Sequence, residues 1–258
     1  LITFAVMENE SFKNIVERKS EVEWTKSLPS ISIDCVVFGF NAGALKVLLL
    51  KIKDQDLWSL PGGYVGKQED IDAAAKRILF QRSGAQNIFL QQFGVFAELN
   101  RSEGFFAEFE DTLWHKQRFV SLGFYALVDF TDVIPVVDDV SSDIEWRDID
   151  DIPALMMDHR KIFDEALLTL RRQLNYKPIG YNLLQEEFTM PELQRLYEII
   201  LDKKLNRGNF YRKMIAYDIL DKMDEPRKAG GAHKAPNLYK FNTEKYQAAL
   251  ENGLKEGW

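Results

Sequence analysis

Apolar and polar positions change their period along this chain, and the changes mark its elements. SISIDCVVFGF (30–40) and LKVLLLKI (45–52) are short runs of β-branched, leucine and aromatic residues, which predicts buried strands. WSLPGG (58–63) adds a strand end and a glycine turn, and a helix is predicted over Ile71–Ser83 with Gly84 at its C-terminus. QQFGVFAEL (91–99) and FVSLGFYALVDF (119–130) read as further strands, and SDIEWRDIDDIPAL (142–155) as a short strand and a turn. In 158–176, Ile162, Phe163, Ala166, Leu167, Leu170 and Leu174 recur with a helical period, giving one apolar stripe. Asp158 is the expected N-cap of that helix, and Pro178 and Gly180 stop it. A polar helical lead-in over 8–29, broken near Pro29, precedes the first strand.

The last third repeats the helical period at shorter length. Thr189 followed by Pro191 and Glu192 is a capping box, and Leu193, Leu196, Tyr197 and Ile200 share one face of the helix it starts. DKKLNRG turns the chain into a second helix over about 207–220, where Phe210, Met214 and Tyr217 are spaced to face a core. Arg212 then points nearly opposite, Arg207 and Lys213 flank the core face, and Asn209 projects outward or caps the helix. Gly230 and Gly231 invite a hairpin turn between Arg227–Lys228 and His233–Lys234, with LYKF (238–241) as the returning strand. Helix, turn, helix and basic hairpin outline a winged helix-turn-helix; a helical subdomain for dimer packing would give the same outline.

Charge sharpens that division. The 258 residues carry a formal net charge of −7, which argues against a wholesale nucleic-acid binder. Residues 1–185 hold −8 of it and residues 186–258 hold +1, while window 203–240 has ten basic residues against four acidic, a net of +6. A basic module on an acidic body fits a DNA-binding regulator. The single cysteine, Cys35, lies in an apolar strand, excludes an internal disulfide framework and fits a reducing compartment, with the cytoplasm as the expected location. His115, His159 and His233 show no zinc-ligand spacing, and neither a metal nor a cofactor is expected. No segment approaches the roughly 20 apolar residues of a membrane span. LITFAV lacks the basic start of a signal peptide, and Met7 is a candidate start.

The stretch LPGGYVGKQEDIDAAAKRILFQRSGA (60–85) resembles the Nudix box, G-x5-E-x7-R-E-U-x-E-E-x-G-U, where U is aliphatic. Gly63, Glu69, Arg77 and Gly84 fill its glycine, acid, arginine and late-glycine positions, and Gly62 precedes them. The resemblance implies that Glu69 and Arg77 pair to tie the loop to the helix. It also implies three metal-holding glutamates at 78, 81 and 82, on one helical face. Ile78, Gln81 and Arg82 stand there instead. Magnesium wants oxygen ligands, so no catalytic residue is expected. The alternative is an active pyrophosphohydrolase of ADP-ribose or nucleoside-diphosphate sugars that borrows Glu69, Asp70, Glu98, Glu103 or Glu108.

Segments LPGGYV, MMDHRKI, PIGYNLL, FTMPELQRLYEIIL, NFYRKM and NLYKF extend the resemblance over about 28–242, to the Nudix-related transcriptional regulators. Two departures are Tyr211, where relatives carry arginine, and the long segment 100–118, which is either a ligand or oligomer surface or a tolerated insertion. The resemblance implies an α+β protein: a Nudix-like α/β/α sandwich sensing a sugar or an ADP-ribose-like effector, then a winged helix-turn-helix on palindromic operator DNA, acting as a homodimer. The expected parts are a lead-in helix (1–29), the sensor (30–177), a linker (178–188), the winged helix-turn-helix (189–245) and a tail (246–258). Gln81, Arg82 and Arg101 are the candidate effector contacts, and Arg207, Asn209, Arg212, Lys213, Arg227, Lys228, His233 and Lys234 the candidate DNA contacts.

Overall fold

The computed structural model describes residues 10–41, 43–84, 88–130, 133–174, 176–224 and 236–254. They fall into two compact units, one within Leu1–Phe38, Lys46–Ala126 and Asp132–Ala166, the other within Gly39–Leu45, Leu127–Thr131 and Leu167–Trp258.

Helix α1 (Phe12–Lys26) starts at Ser11, whose side chain accepts from the Asn14 amide. It buries Phe12, Ile15, Val16, Ser20 and Glu23. The helix ends at Lys26, three residues before Pro29, and Ser27–Asn41 is the strand β1, whose pairing with the segment Gly62–Gly66 shifts register between Ser27 and Ser32, where Ser30 takes a φ of 68°. Ala44–Ile52 forms β2, Trp58–Ser59 β3 and Gly62–Gly66 β4, followed by α2 (Ile71–Ser83). Phe89–Phe96 is β5, Val120–Asp129 β6 and Ser141–Asp148 β7, and α3 covers His159–Gln173. The strands make a seven-stranded sheet in the order β3-β2-β1-β6-β5, with β4 antiparallel to β1 and β7 antiparallel to β2. This is the mixed sheet with helices expected of the Nudix-like fold. The β1–β4 register sets Asp34 opposite Gly62 and Ile33 opposite Gly63, which brings the glycine turn onto the central strand.

Segment 100–118 has no helical or strand period, yet it is packed. Phe106, Leu113 and Trp114 are buried, and Phe106 and Leu113 join Phe12, Val16, Ile52 and Met156 in one apolar cluster. The Trp114 amide donates to Ser20 Oγ at 2.7 Å, and the Trp24 and Trp114 rings meet edge-on at 4.8 Å. The lead-in helix is therefore a wall of the first unit, held there by this segment.

In the second unit, Phe188–Thr189 is β8, Met190–Leu201 α4, Arg207–Ala216 α5, Leu220–Lys222 β9, Leu238–Phe241 β10 and Thr243–Asn252 α6. The strands pair antiparallel in the order β8-β10-β9. Three expectations need correction. The second helix stops at Ala216 rather than near 220, because Asp218 takes a positive φ of 54° and the chain re-enters a sheet. The 178–188 linker is packed: Ile179, Leu183 and Phe188 are buried, and Phe188 lies in β8. Part of the tail from 246 is α6, which starts at the Asn242 cap, buries Tyr246 and donates its hydroxyl to the Pro178 carbonyl at 3.1 Å. The capping box forms as its spacing predicts, with the Thr189 amide donating to Glu192 Oε2 at 2.7 Å. Glu198 fastens the turn between α4 and α5 by accepting from the Leu205 amide, Gln194 and Lys204. Those bonds, the Leu205 amide's first, lower its pKa to about 2.

Thr189→Ala removes the cap of α4 and is expected to lower stability by about 1 kcal/mol. A thermal melt followed by circular dichroism measures this, and an unchanged midpoint would show that the box is incidental.

Candidate functional site

The glycine turn and α2 are bound together by a single guanidinium. Arg77 donates through Nε to Glu69 Oε2 (3.0 Å), through Nη2 to Glu69 Oε1 (2.5 Å) and to the Tyr64 carbonyl (2.8 Å). Glu69 Oε1 also accepts from the Gly66 amide at 2.6 Å. The Arg77 hydrogen bonds hold Glu69 below the ordinary carboxylate range, and Glu69 in turn raises Arg77. Gly84 caps α2 at φ +66°, a conformation that a side chain would strain. Ile78 is buried against Gly63, where a Cβ would stand 3.0 Å from Ile78 Cγ1. A hydrocarbon therefore fills the space above the turn, and glycine is what admits it.

The three positions that would carry metal-holding carboxylates are thus occupied otherwise. Besides buried Ile78, Gln81 is exposed and accepts from Arg77 Nη1 at 3.3 Å, and Arg82 pairs with Asp138 at 2.7 Å. Three of the other acids considered are engaged as well: Asp70 caps α2, Glu98 pairs with Lys161, and Glu103 accepts from the Ser102 amide. Among the described residues, no three His, Cys, Asp or Glu side chains gather in a way that could hold a metal ion. The donor set does not fit a Nudix metal.

Beside this turn lies a cavity of about 780 Å³, within the range of small-molecule sites. Gln81, Arg82 and Arg101 all border it, so the structure brings the three candidate effector contacts to one place. One end is apolar, with Phe12, Val16, Ile52, Phe106 and Met156; Asp34, Tyr64, Arg77, His115 and His159 line it elsewhere. Arg101 is buried and bound bidentately to Asp158, Nε at 2.8 Å and Nη2 at 2.7 Å, while Nη2 also reaches Asp34 at 3.2 Å. Burial opposes its charge, but the two carboxylates outweigh it and raise its pKa. Asp34 further accepts from Ser121 Oγ at 2.6 Å. His159 accepts the Leu60 amide at Nδ1 (3.0 Å), which leaves Nε2 as the protonated nitrogen, 3.7 Å from Asp34. Burial lowers the pKa of His159, and that of His115 to about 4.

Sequence reasoning missed Asp34, Asp158 as a partner of Arg101, and the α1 wall. One signal was available: a lone carboxylate inside the apolar run SISIDCVV needs a partner if that strand is buried. Nothing local named Arg101 as that partner, 67 positions away.

On the second unit, α5 buries Phe210 and Met214 and leaves Arg207, Asn209 and Arg212 exposed, with Lys213 half-buried. Asn206 is the N-cap, accepting the Asn209 amide, so Asn209 does not cap. Its Oδ1 instead accepts from Arg212 Nη2 at 2.5 Å. Tyr211, the departure from relatives, brings its hydroxyl within 3.5 Å of that of Tyr239 on β10. Arg227, Lys228, His233 and Lys234 lie outside the described residues, which resume at Pro236, just before β10 pairs with β9.

A Nudix-type sheet and box helix, followed by a helix-turn-helix with a small antiparallel sheet, define a two-part class. Residues 28–166 match the NUDIX domain, and residues 180–241 match the NrtR DNA-binding winged helix domain. The chain belongs to the Nudix family, in the branch of Nudix-related transcriptional regulators. It is 26% identical over 225 residues, 84% of each chain, to the ADPR responsive transcriptional repressor NtrR of Acinetobacter baylyi. Its fold resembles Shewanella oneidensis NrtR complexed with a 27mer DNA, at TM-score 0.70 and 23% identity over 88% of this chain and 99% of that one. A MutT/nudix family protein from Enterococcus faecalis gives 0.63 at 18% identity, over 90% and 96%.

Arg101→Met leaves the buried Asp34 and the half-buried Asp158 without a counter-charge and should cost about 3 kcal/mol at neutral pH, read by urea unfolding. A loss within error would show that water, not Arg101, solvates the pair. His115 supplies an acid-side prediction. Its folded pKa of about 4 lies below the unfolded value of about 6.5. The unfolded chain therefore takes the proton first, so stability present above about pH 6.5 is lost as pH falls through about 4. Melts of His115→Gln should show a smaller loss between about pH 7 and pH 4 than the wild type.

Proposed function

We propose that this protein is a ligand-responsive transcriptional repressor. Its Nudix cleft binds a sugar or ADP-ribose-like effector without hydrolysing it, and its winged helix-turn-helix binds operator DNA. The observation that carries this reading is the pairing of a retained clamp, Glu69–Arg77–Tyr64 beside an open cavity, with the replacement of every metal-holding position on α2. Without metal to bridge and neutralise a diphosphate, the main electrostatic contribution to hydrolysis is gone. Binding remains. The likeness to a protein named an ADPR responsive transcriptional repressor supports the same reading and suggests a NAD-metabolism operon; a sugar effector would instead suggest a sugar-catabolic one.

Repression then requires a coupling free energy between effector and DNA, typically about 1–3 kcal/mol. A homodimer would match palindromic half-sites about 34 Å apart. On the DNA side, Arg207, Asn209, Arg212 and Lys213 on α5 are the proposed contacts, with Arg227, Lys228, His233 and Lys234 in the hairpin segment. On the effector side, Arg82 reaches the ligand only by sharing or releasing Asp138, so its contribution to a phosphorylated ligand is set by that competition.

A gel shift against the gene's own upstream region, with ADP-ribose and free sugars added in turn, tests the reading directly. Salt-dependent binding that one of these ligands releases is the expected result; binding indifferent to both salt and sequence would sink the DNA reading. Arg212→Ala should weaken operator binding by about 1–3 kcal/mol and relax one base pair if the contact is to a base, or weaken all sequences alike if it is to phosphate. ADP-ribose and nucleoside-diphosphate sugars with magnesium or manganese should give no turnover. A rate near about 10 per second would restore the enzyme reading.

A further inference from the structure

We propose that Ile215 is a specificity residue that reads the 5-methyl group of a thymine in the operator, beside the base pair faced by Arg212. The inference rests on the DNA-binding reading above and adds a base identity to it.

The outward face of α5 is defined by what is buried. Phe210 and Met214 turn inward. At 100° per residue, Gly208, Arg212 and Ile215 then lie on the opposite side, three or four positions apart. That side also carries the exposed Arg212, and the helix lies in the window of net charge +6. Ile215 is 44% exposed near the C-terminal end of the helix. A β-branched aliphatic side chain in a helix gives up rotamer freedom and helix propensity, and here it gains only part of the burial that would offset this. The Arg212 side chain lies back along the helix, Nη2 on Asn209 Oδ1 at 2.5 Å and Nε 3.4 Å from the Gly208 carbonyl, so it does not cover Ile215. Gly208 presents no side chain on this face, and a Cβ placed there would meet nothing nearer than Asn206 Oδ1 at 3.5 Å. The backbone can therefore come close to the groove.

The major groove offers one apolar group for an aliphatic side chain to bury, the thymine methyl. Ile215 lies three residues beyond Arg212, about 4.5 Å along the helix, against about 3.4 Å between successive base pairs. The thymine should then be one or two pairs from the base that Arg212 faces. Burial of one methyl-sized group corresponds to about a fourfold change in affinity.

The test uses the full chain. Duplexes are selected from a random pool, and each thymine of the preferred duplex is replaced singly by deoxyuridine, which lacks only the methyl. Wild type should lose about fourfold at one thymine. Ile215→Ala should bind the parent duplex about that much more weakly and show no thymine–uracil difference there, while Ile215→Val keeps part of it. Because Ile215 is exposed, these variants are expected to melt as the wild type does. Identical uracil profiles for wild type and Ile215→Ala would overturn the proposal while leaving DNA binding intact. So would a change confined to oligomeric state, which would make Ile215 a protein contact. Failure to select any preferred duplex would remove the DNA reading itself, and this inference with it.

Discussion

A guanidinium buried between two carboxylates is the constraint on which the first unit depends. Arg101 stands where the long segment leaves β5, Asp34 is in the central strand, and Asp158 sits at the start of α3. Three distant pieces of chain thus meet in one ionic knot beside the cavity. Truncating Arg101 would leave two carboxylates without a counter-charge in a low-dielectric site, which is more costly than the intact cluster is favourable. The knot is therefore better understood as fixing geometry than as a source of net stability. It sets where the long segment begins, and that segment in turn presses α1 into place through Trp114, Phe106 and Leu113.

The box shows the same logic at smaller scale. Its clamp uses Arg77 to neutralise Glu69 and to satisfy the Tyr64 carbonyl, so turn and helix stay joined whatever occupies the neighbouring positions. Ile78 then fills the notch over Gly63 with hydrocarbon. Scaffold and chemistry were separable because they used different side chains: Glu69 before α2 and Arg77 on it for one, positions 78, 81 and 82 of α2 for the other.

Much of this was legible in the sequence, for physical reasons. Strands β1, β2 and β6 are built around apolar runs, α2 is bracketed by a cap and a left-handed glycine, and α4 carries a capping box; each is encoded within a few residues. The long segment was not legible, because Phe106, Leu113 and Trp114 pack without any period. Helix α1 was legible as a helix, but its burial was not, because the buried face includes the polar Ser20 and Glu23 and so carries little amphipathic signal. The candidate contacts Gln81 and Arg82 were found by their place in a motif, but their partners Arg77 and Asp138 are properties of the folded chain. At the C-terminus, α6 was overlooked because Tyr246 is its only buried side chain.

The packing of Trp24 on Trp114, and of Trp114 on Tyr64, has an optical consequence. Trp24, Trp58, Trp114 and Trp146 all lie in the first unit, and Tyr64 of that aromatic stack lines the cavity. Indole emission from these four residues therefore originates in the first unit, and that of Trp24 and Trp114 from the stack that includes Tyr64. A small molecule settling against Tyr64 would alter the surroundings of the Trp114 ring, so the protein holds its own spectroscopic probe of occupancy at the place where occupancy matters.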